Sequence, residues 1–455
     1  MRHPLRALLP LLALAGLATP APRAGAGDAP ADPFVVHEWG TFTSVAGADG
    51  VGLEGLHHEE EALPAFVYDR VKIRACPLRA QGWKGLERAA NHVTQKMETP
   101  VLYFHTKTAR RARVRVDFVG GLISQWFPVT DTFGPPDGEA GAGRLDLRTV
   151  PRSFLAWDVD LLPRTEPRPA EVPEVEAGDP WAFARDVDAA WVRTRPREAP
   201  GRLGPVEAEH FLFYRGLGTF TLPFTATADA AGRLAFVNGS AHRVARAVAI
   251  EVEGGGTRGR HAVVCDLAPG ASAGTSASNA RGLLDHRAFE AWPAGGSEGM
   301  RGDLLKVLVG QGLREDEARA MIATWSRSWF ATDGLRVLYV VPRPLVDDLL
   351  PLRIDPTPDR VVRVLLGRAE VLAPARIDAL VAALAALQAA SGPASPDAPA
   401  AAAALDRVLA VGDRFLEPAL RRVVATTSDA AARAAASGLL GRLEAEDDAR
   451  AREAR

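Results

Sequence analysis

Cysteine is almost absent from this chain. Cys76 and Cys265 are the only two in 455 residues, too few for a disulfide-stapled scaffold or a cysteine-rich zinc site. One bridge would tie together two distant parts of a β-rich region; the other reading is a pair of buried free thiols. A charge excess is missing too. Lys and Arg number 54 against 56 Asp and Glu, a formal net charge of −2. Nucleic-acid binders usually carry a basic surplus, so that partner class is not expected. Beyond the N-terminus, no run approaches the roughly 18 apolar residues of a membrane-spanning helix, so an integral membrane protein is not expected after leader cleavage. No His-Glu-x-x-His, phosphate loop or dinucleotide fingerprint stands out.

What is present begins with a leader. Arg2, His3 and Arg6 precede an apolar run over 8–17, which fits a secretory signal and is too short to span a bilayer. Pro20, Pro22 and Ala24-Gly25-Ala26 supply the helix break and the small-residue cleavage site. The mature chain is expected to begin near Gly27. No Cys follows the apolar run, so a lipid anchor is not expected. The abundance of Ala, Arg and Gly suits a GC-rich bacterial genome, so the expected location is periplasmic or extracellular.

Patterning predicts a mainly β protein with α+β portions. After the signal peptide (1–26) and a linker (27–33), residues 34–267 read as a β-sandwich-like region with a break near 162–180. In 112–119, Val114, Val116 and Phe118 alternate with Arg113, Arg115 and Asp117, the signature of a sheet with one wet face. Residues 101–106 and 112–119 read as a hairpin, and Asn238-Gly239 as a turn between two strands. A loop (268–299) precedes a smaller α/β segment (300–390). There a helix over 315–330 places Ala318, Ile322, Trp325 and Trp329 on one face, strands are expected over 335–341 and 361–371, and Pro374 opens a further helix. A linker (391–399) leads to an Ala-rich helical tail (400–455).

The most distinctive string is His37-Glu38-Trp39-Gly40-Thr41-Phe42-Thr43-Ser44. On a strand, His37 and Glu38 point to opposite faces, so one strand without a bulge cannot aim both at one metal. Glu38 would sit among apolar neighbours, as a buried acid, base or ligand, or as a structural carboxylate paired with an Arg such as Arg70 or Arg74. His57-His58-Glu59-Glu60-Glu61 is the richest ligand set. His and carboxylate together suit zinc, manganese or iron, with His37, His92, Glu98 or His105 needed to close a site; the plainer reading is a solvated acidic loop. Lys96 and Glu98 flank the entry to the strand at Pro100, where they would line a site or simply mark an edge strand. Gly270-Ala271-Ser272-Ala273-Gly274 matches a nucleophile elbow only in letters, since no strand runs into it. Arg110, Arg111, Arg113 and Arg115 read as a solvated basic face. Trp39, Trp126, Trp157, Trp181 and Trp191 are each candidates for stacking on a sugar, whereas Trp325 and Trp329 read as core.

The strings His37 to Ser44 and Met97 to Phe104 resemble those of a family of exported bacterial proteins. In it a His-Glu-Trp-Gly-Thr-Phe-Thr string is followed by an acidic loop and a Glu-Thr-Pro strand entry. The resemblance spans about half the chain and implies an exported β-rich protein; it implies no activity, substrate or cofactor.

Two functions are compatible with these residues. The first is a binding module for an envelope protein or a glycan, with Trp39 and Lys96 as binding residues. The alternative is a metal-dependent hydrolase, with His37, His57, His58 and His105 as ligands and Glu38, Glu60 or Glu98 as general base.

Overall fold

Five strands form the middle of a ten-stranded mixed sheet: β1 (Val35–Gly47), β2 (Gln95–His105), β3 (Phe211–Gly218), β4 (Gly334–Val340) and β5 (Arg360–Leu372), in the spatial order β4-β5-β1-β2-β3. The computed structural model describes residues 32–56, 58, 63–70, 90–134, 146–196, 198–199, 202–203, 205–230, 234–270, 283–284, 289–293, 296–390 and 398–453. Within the unit Pro33–Arg455, β1 runs antiparallel to β2 and parallel to β5. Val361, Val362, Val364, Leu365 and Leu366 give β5 the β-branched and apolar run of a strand covered on both faces. Val337, Leu338 and Tyr339 do the same for β4.

A second, six-stranded sheet contains Arg110–Val119, Arg152–Leu162, Trp191–Thr194 and Leu352–Asp355. Arg152–Leu162 alternates buried and more exposed residues along its whole length, as a sheet with one wet face requires. The two sheets share one core, in which Leu102 and Phe104 join Val116, Phe118, Leu155 and Trp157. The fold is mainly β with α+β portions, as the patterning predicts.

Strand pairing departs from the expected local connections. Residues 101–106 and 112–119 do not form a hairpin: β2 lies in the ten-stranded sheet, whereas Arg110–Val119 pairs with Arg152–Leu162 and Leu352–Asp355. Asn238-Gly239 likewise ends a strand of a separate three-stranded sheet rather than turning a hairpin. The α/β segment supplies β4 and β5 to the middle of the large sheet, so the boundary at 268–299 does not divide the core. Asp117, expected on the wet face, is buried and ion-paired with Arg115 at 2.9 Å. Pro100 stands in a central strand, not an edge. It is accommodated by a bulge, where the β1–β2 register slips between Trp39 and Thr41 and Thr99 takes φ 50°.

The helices are α1 (Pro180–Arg185), α2 (Glu298–Gly310), α3 (Glu315–Thr324), α4 (Ser326–Phe330), α5 (Arg343–Leu349), α6 (Pro374–Ala390), α7 (Ala398–Leu409), α8 (Asp413–Thr426) and α9 (Ala430–Glu453). The helix expected over 315–330 is thus broken at Trp325. The Ala-rich tail is docked: Val408, Phe415, Leu420 and Val423 pack with α6 against Val45, Leu53 and Leu56. Ion pairs from Arg422 to Asp49 (2.7 Å) and from Arg414 to Glu98 (3.0 Å) fasten it further. Among the described residues, no helix is long and apolar enough to cross a membrane. The segment expected to be a leader, Cys76, the side chain of Cys265 and Ser272 lie outside the described residues.

Candidate functional site

Register brings two histidines together. Val35 lies opposite His105 and His37 opposite Tyr103, so the alternation of side chains places His37 and His105 on one face as diagonal neighbours. Their rings meet edge to face with centroids 4.9 Å apart. Onto this face α3 delivers Glu317. Glu315, Asp316 and Glu317 all suit the positive end of a helix dipole, yet only Glu317 is buried. It shares the i, i+4, i+8 line of Met321 and Trp325, both buried, and so points into the protein.

The contacts are short and complete. His37 Nδ1 lies 2.7 and 3.0 Å from the two Glu317 oxygens, and His105 Nε2 lies 2.9 Å from Oε1. The Arg314 amide donates to Oε2 at 2.8 Å, so the carboxylate also satisfies a backbone N–H at the start of α3. Glu317 is fully buried, and His37 and His105 are exposed by only 4% and 7%. Burial works against ionisation of Glu317. The hydrogen bonds from His105 and His37, the charge of His37 and the Arg314 amide outweigh it and hold the carboxyl down at about 2. It is therefore a carboxylate at any physiological pH.

One ligand atom from each of His37, His105 and Glu317 lies within 4.8 Å of the others, the only such group among the described residues. With protons on the facing nitrogens, the imidazoles donate to the carboxylate. With those protons on the far nitrogens, the same atoms offer lone pairs to a cation. Two imidazoles and a carboxylate, with a fourth position left for water, are a zinc ligand set, and manganese and iron accept the same donors.

The other candidates lie elsewhere. Glu38 points away from His37 and is held by the Tyr214 hydroxyl and the Arg363 guanidinium. Its arginine is Arg363, not Arg70. Arg70 instead donates to the carbonyls of Ile123 (2.6 Å) and Gly134 (3.0 Å), and Arg74 lies outside the described residues. Glu98 accepts from Thr43 at 2.6 Å and pairs with Arg414. Lys96 is buried and donates to the His58 carbonyl at 2.5 Å. The His58 ring meets Glu417 of α8 at 3.1 Å. Lys96 sits opposite Thr43, six residues along β1 from His37, so His58 and His37 are separated by about 20 Å of strand at ~3.3 Å per residue. Trp39 is fully buried against Tyr103 and presents no face to a sugar. His57 and Glu60 lie outside the described residues.

Glu317 is the residue that motif reading passes over. Its signal is modest: an acid on the apolar stripe of an amphipathic helix, 280 residues from His37. The chain matches no family model and no curated protein.

Proposed function

We propose that this chain is an exported metal-binding protein whose centre is His37, His105 and Glu317, and that zinc is its metal. One observation carries the reading: three metal-ligating side chains from three distant segments converge in a buried site, with the carboxylate ionised. The strings that resemble the exported family lie on β1 and β2, the two strands that supply the histidines. Binding has better support than hydrolysis. Glu38 and Glu98, the described candidates for a general base, are each committed to an arginine away from the group, and the ligands expose only a few per cent of their surface. Such a centre would pin α3 to the sheet and couple metal occupancy to stability.

The test is the elemental content of protein produced with its leader and purified without chelator. Near-stoichiometric zinc is expected, falling at least tenfold in Glu317→Gln and in His105→Ala, with His58→Ala unchanged; manganese or iron in its place would overturn the choice of metal. Cobalt added to the metal-free protein should give the visible bands of a tetrahedral site. Folded wild-type protein that holds no metal and takes up no cobalt would overturn the proposal.

A further inference from the structure

The large sheet has a gap where β4 stops short. On one side β4 pairs with the strand Val244–Glu253, beginning with Tyr339 opposite Ala247; on the other it pairs with β5, beginning with Val340 opposite Leu366. Beyond Val340 the chain turns away at Pro342 into α5, while both neighbours run on. Among the described residues, β5 from Arg360 to Val364 has β1 as its one strand neighbour, and residues 244–246 have Arg258–Leu267 as theirs. Two strands that flank a missing third lie about 10 Å apart, twice the usual spacing of ~4.8 Å. The gap is a cavity of about 430 Å³, a size usual for small-molecule sites.

The ionisable groups that border it are His242, Arg243, Arg343, Arg360 and Arg363; among the described residues no Asp or Glu joins them. Three of the four arginines are engaged. Arg343 and Arg363 share Asp347 at 2.7 and 2.8 Å, Arg363 also holds Glu38, and Arg243 has a contact of its own. Arg360, which is exposed, and the ring of His242, which is half-buried, have no hydrogen-bond or ion-pair partner among the described residues. Arg363, with its side chain 1% exposed, keeps Nη2 buried without a hydrogen-bond partner. The Arg360 head group lies at the end of α2: its Nη2 is 3.4 Å from where a Cβ on Gly312 would stand, beside Gln311, which also borders the gap.

A guanidinium, an imidazole and a primary amide, carried by three segments, thus border one space of cationic lining. All three can donate hydrogen bonds. A phosphate group, with three strongly accepting terminal oxygens, can use several such donors at once, whereas a planar carboxylate is met by a single guanidinium fork. We infer that the gap binds a small phosphate monoester, its phosphate on Arg360 and Gln311 and its uncharged body in the space that β4 leaves, toward His242. None of His37, His105 and Glu317 borders the gap, so the inference stands apart from the proposed metal centre.

Calorimetry on the whole folded chain, with glucose 6-phosphate and glucose as probes, tests it. The phosphate ester is expected to bind at least tenfold more tightly than the sugar. Arg360→Gln and Gln311→Glu, both exposed positions, should each weaken it at least fivefold at unchanged thermal stability. Ala245→Trp, which fills the gap without altering its charge, should abolish it. Arg353→Gln, at an exposed arginine of the second sheet, should leave it unchanged. Equal affinity for the two probes, no binding of either, binding that survives folded Arg360→Gln, or an equal loss in Arg353→Gln would each overturn the assignment.

Discussion

Glu38 and Glu317 are both fully buried carboxylates, and their partners set them apart. Glu38 faces a guanidinium and a phenol, so its charge is met by a permanent cation. Glu317 faces two imidazoles and an amide, groups that satisfy it by hydrogen bonding and can also turn a lone pair toward a cation. The first environment is structural and the second is chemically open. The residue scale also carries a pH dependence, at His210. Burial pushes this imidazole down, the Val187 carbonyl works the other way, and nearby arginines add to the lowering, leaving it at about 4. The unfolded chain therefore binds a proton that the folded chain refuses between about pH 6.5 and pH 4. Stability is full above that window and falls as pH drops through it. Urea unfolding at a series of pH values should show His210→Gln lacking up to about 3 kcal/mol of that acid loss. Equal acid losses in both proteins would refute the assignment. His37 and His105 were legible because they stand in or beside distinctive strings. Glu317 was not, because only tertiary packing decides that it, rather than Glu315, turns inward. Trp39 and Lys96 misled for the same reason: the string shows their chemistry but not that both are buried.

At the scale of elements, β4, β5 and α6 were readable from apolar runs and from Pro374, since those signals are local. The pairing was not, because β2 and Arg110–Val119 are adjacent in sequence yet belong to different sheets. A glycine records one such packing decision. Gly367 of β5 lies opposite Tyr339 of β4, and a Cβ there would fall on the Tyr339 ring. That ring packs 4.6 Å from Phe224 and 5.1 Å from Phe236, the anchors of the three-stranded sheet. Gly367→Ala is expected to cost about 1–3 kcal/mol, measured by denaturant unfolding. In a Tyr339→Ala background the same change should cost almost nothing; an undiminished cost would show that the ring is not the cause.

At the scale of the whole molecule, the large sheet is assembled from both ends of the chain. Residues 33–299 lack β4 and β5, and residues 300–455 lack β1 to β3. Each fragment alone would leave a long apolar strand edge uncovered. Neither is expected to fold by near-ultraviolet circular dichroism or hydrogen exchange, and mixing them should restore protection. An independently folded 33–299 fragment would contradict this. The composition shift that suggested a boundary near 268 reflects a local change in residue usage, whereas the core is decided by pairings some 300 residues long. The parallel pairing of β1 with β5 also has a consequence in time. Glu38 leaves the ribosome 325 residues before Arg363. At about 5–20 residues per second, that is a wait of roughly 16 to 65 s. Throughout it, the strand bearing His37 has no partner on one side. The central sheet therefore cannot close until Arg360–Leu372 has been made, although β1 can pair with β2 long before.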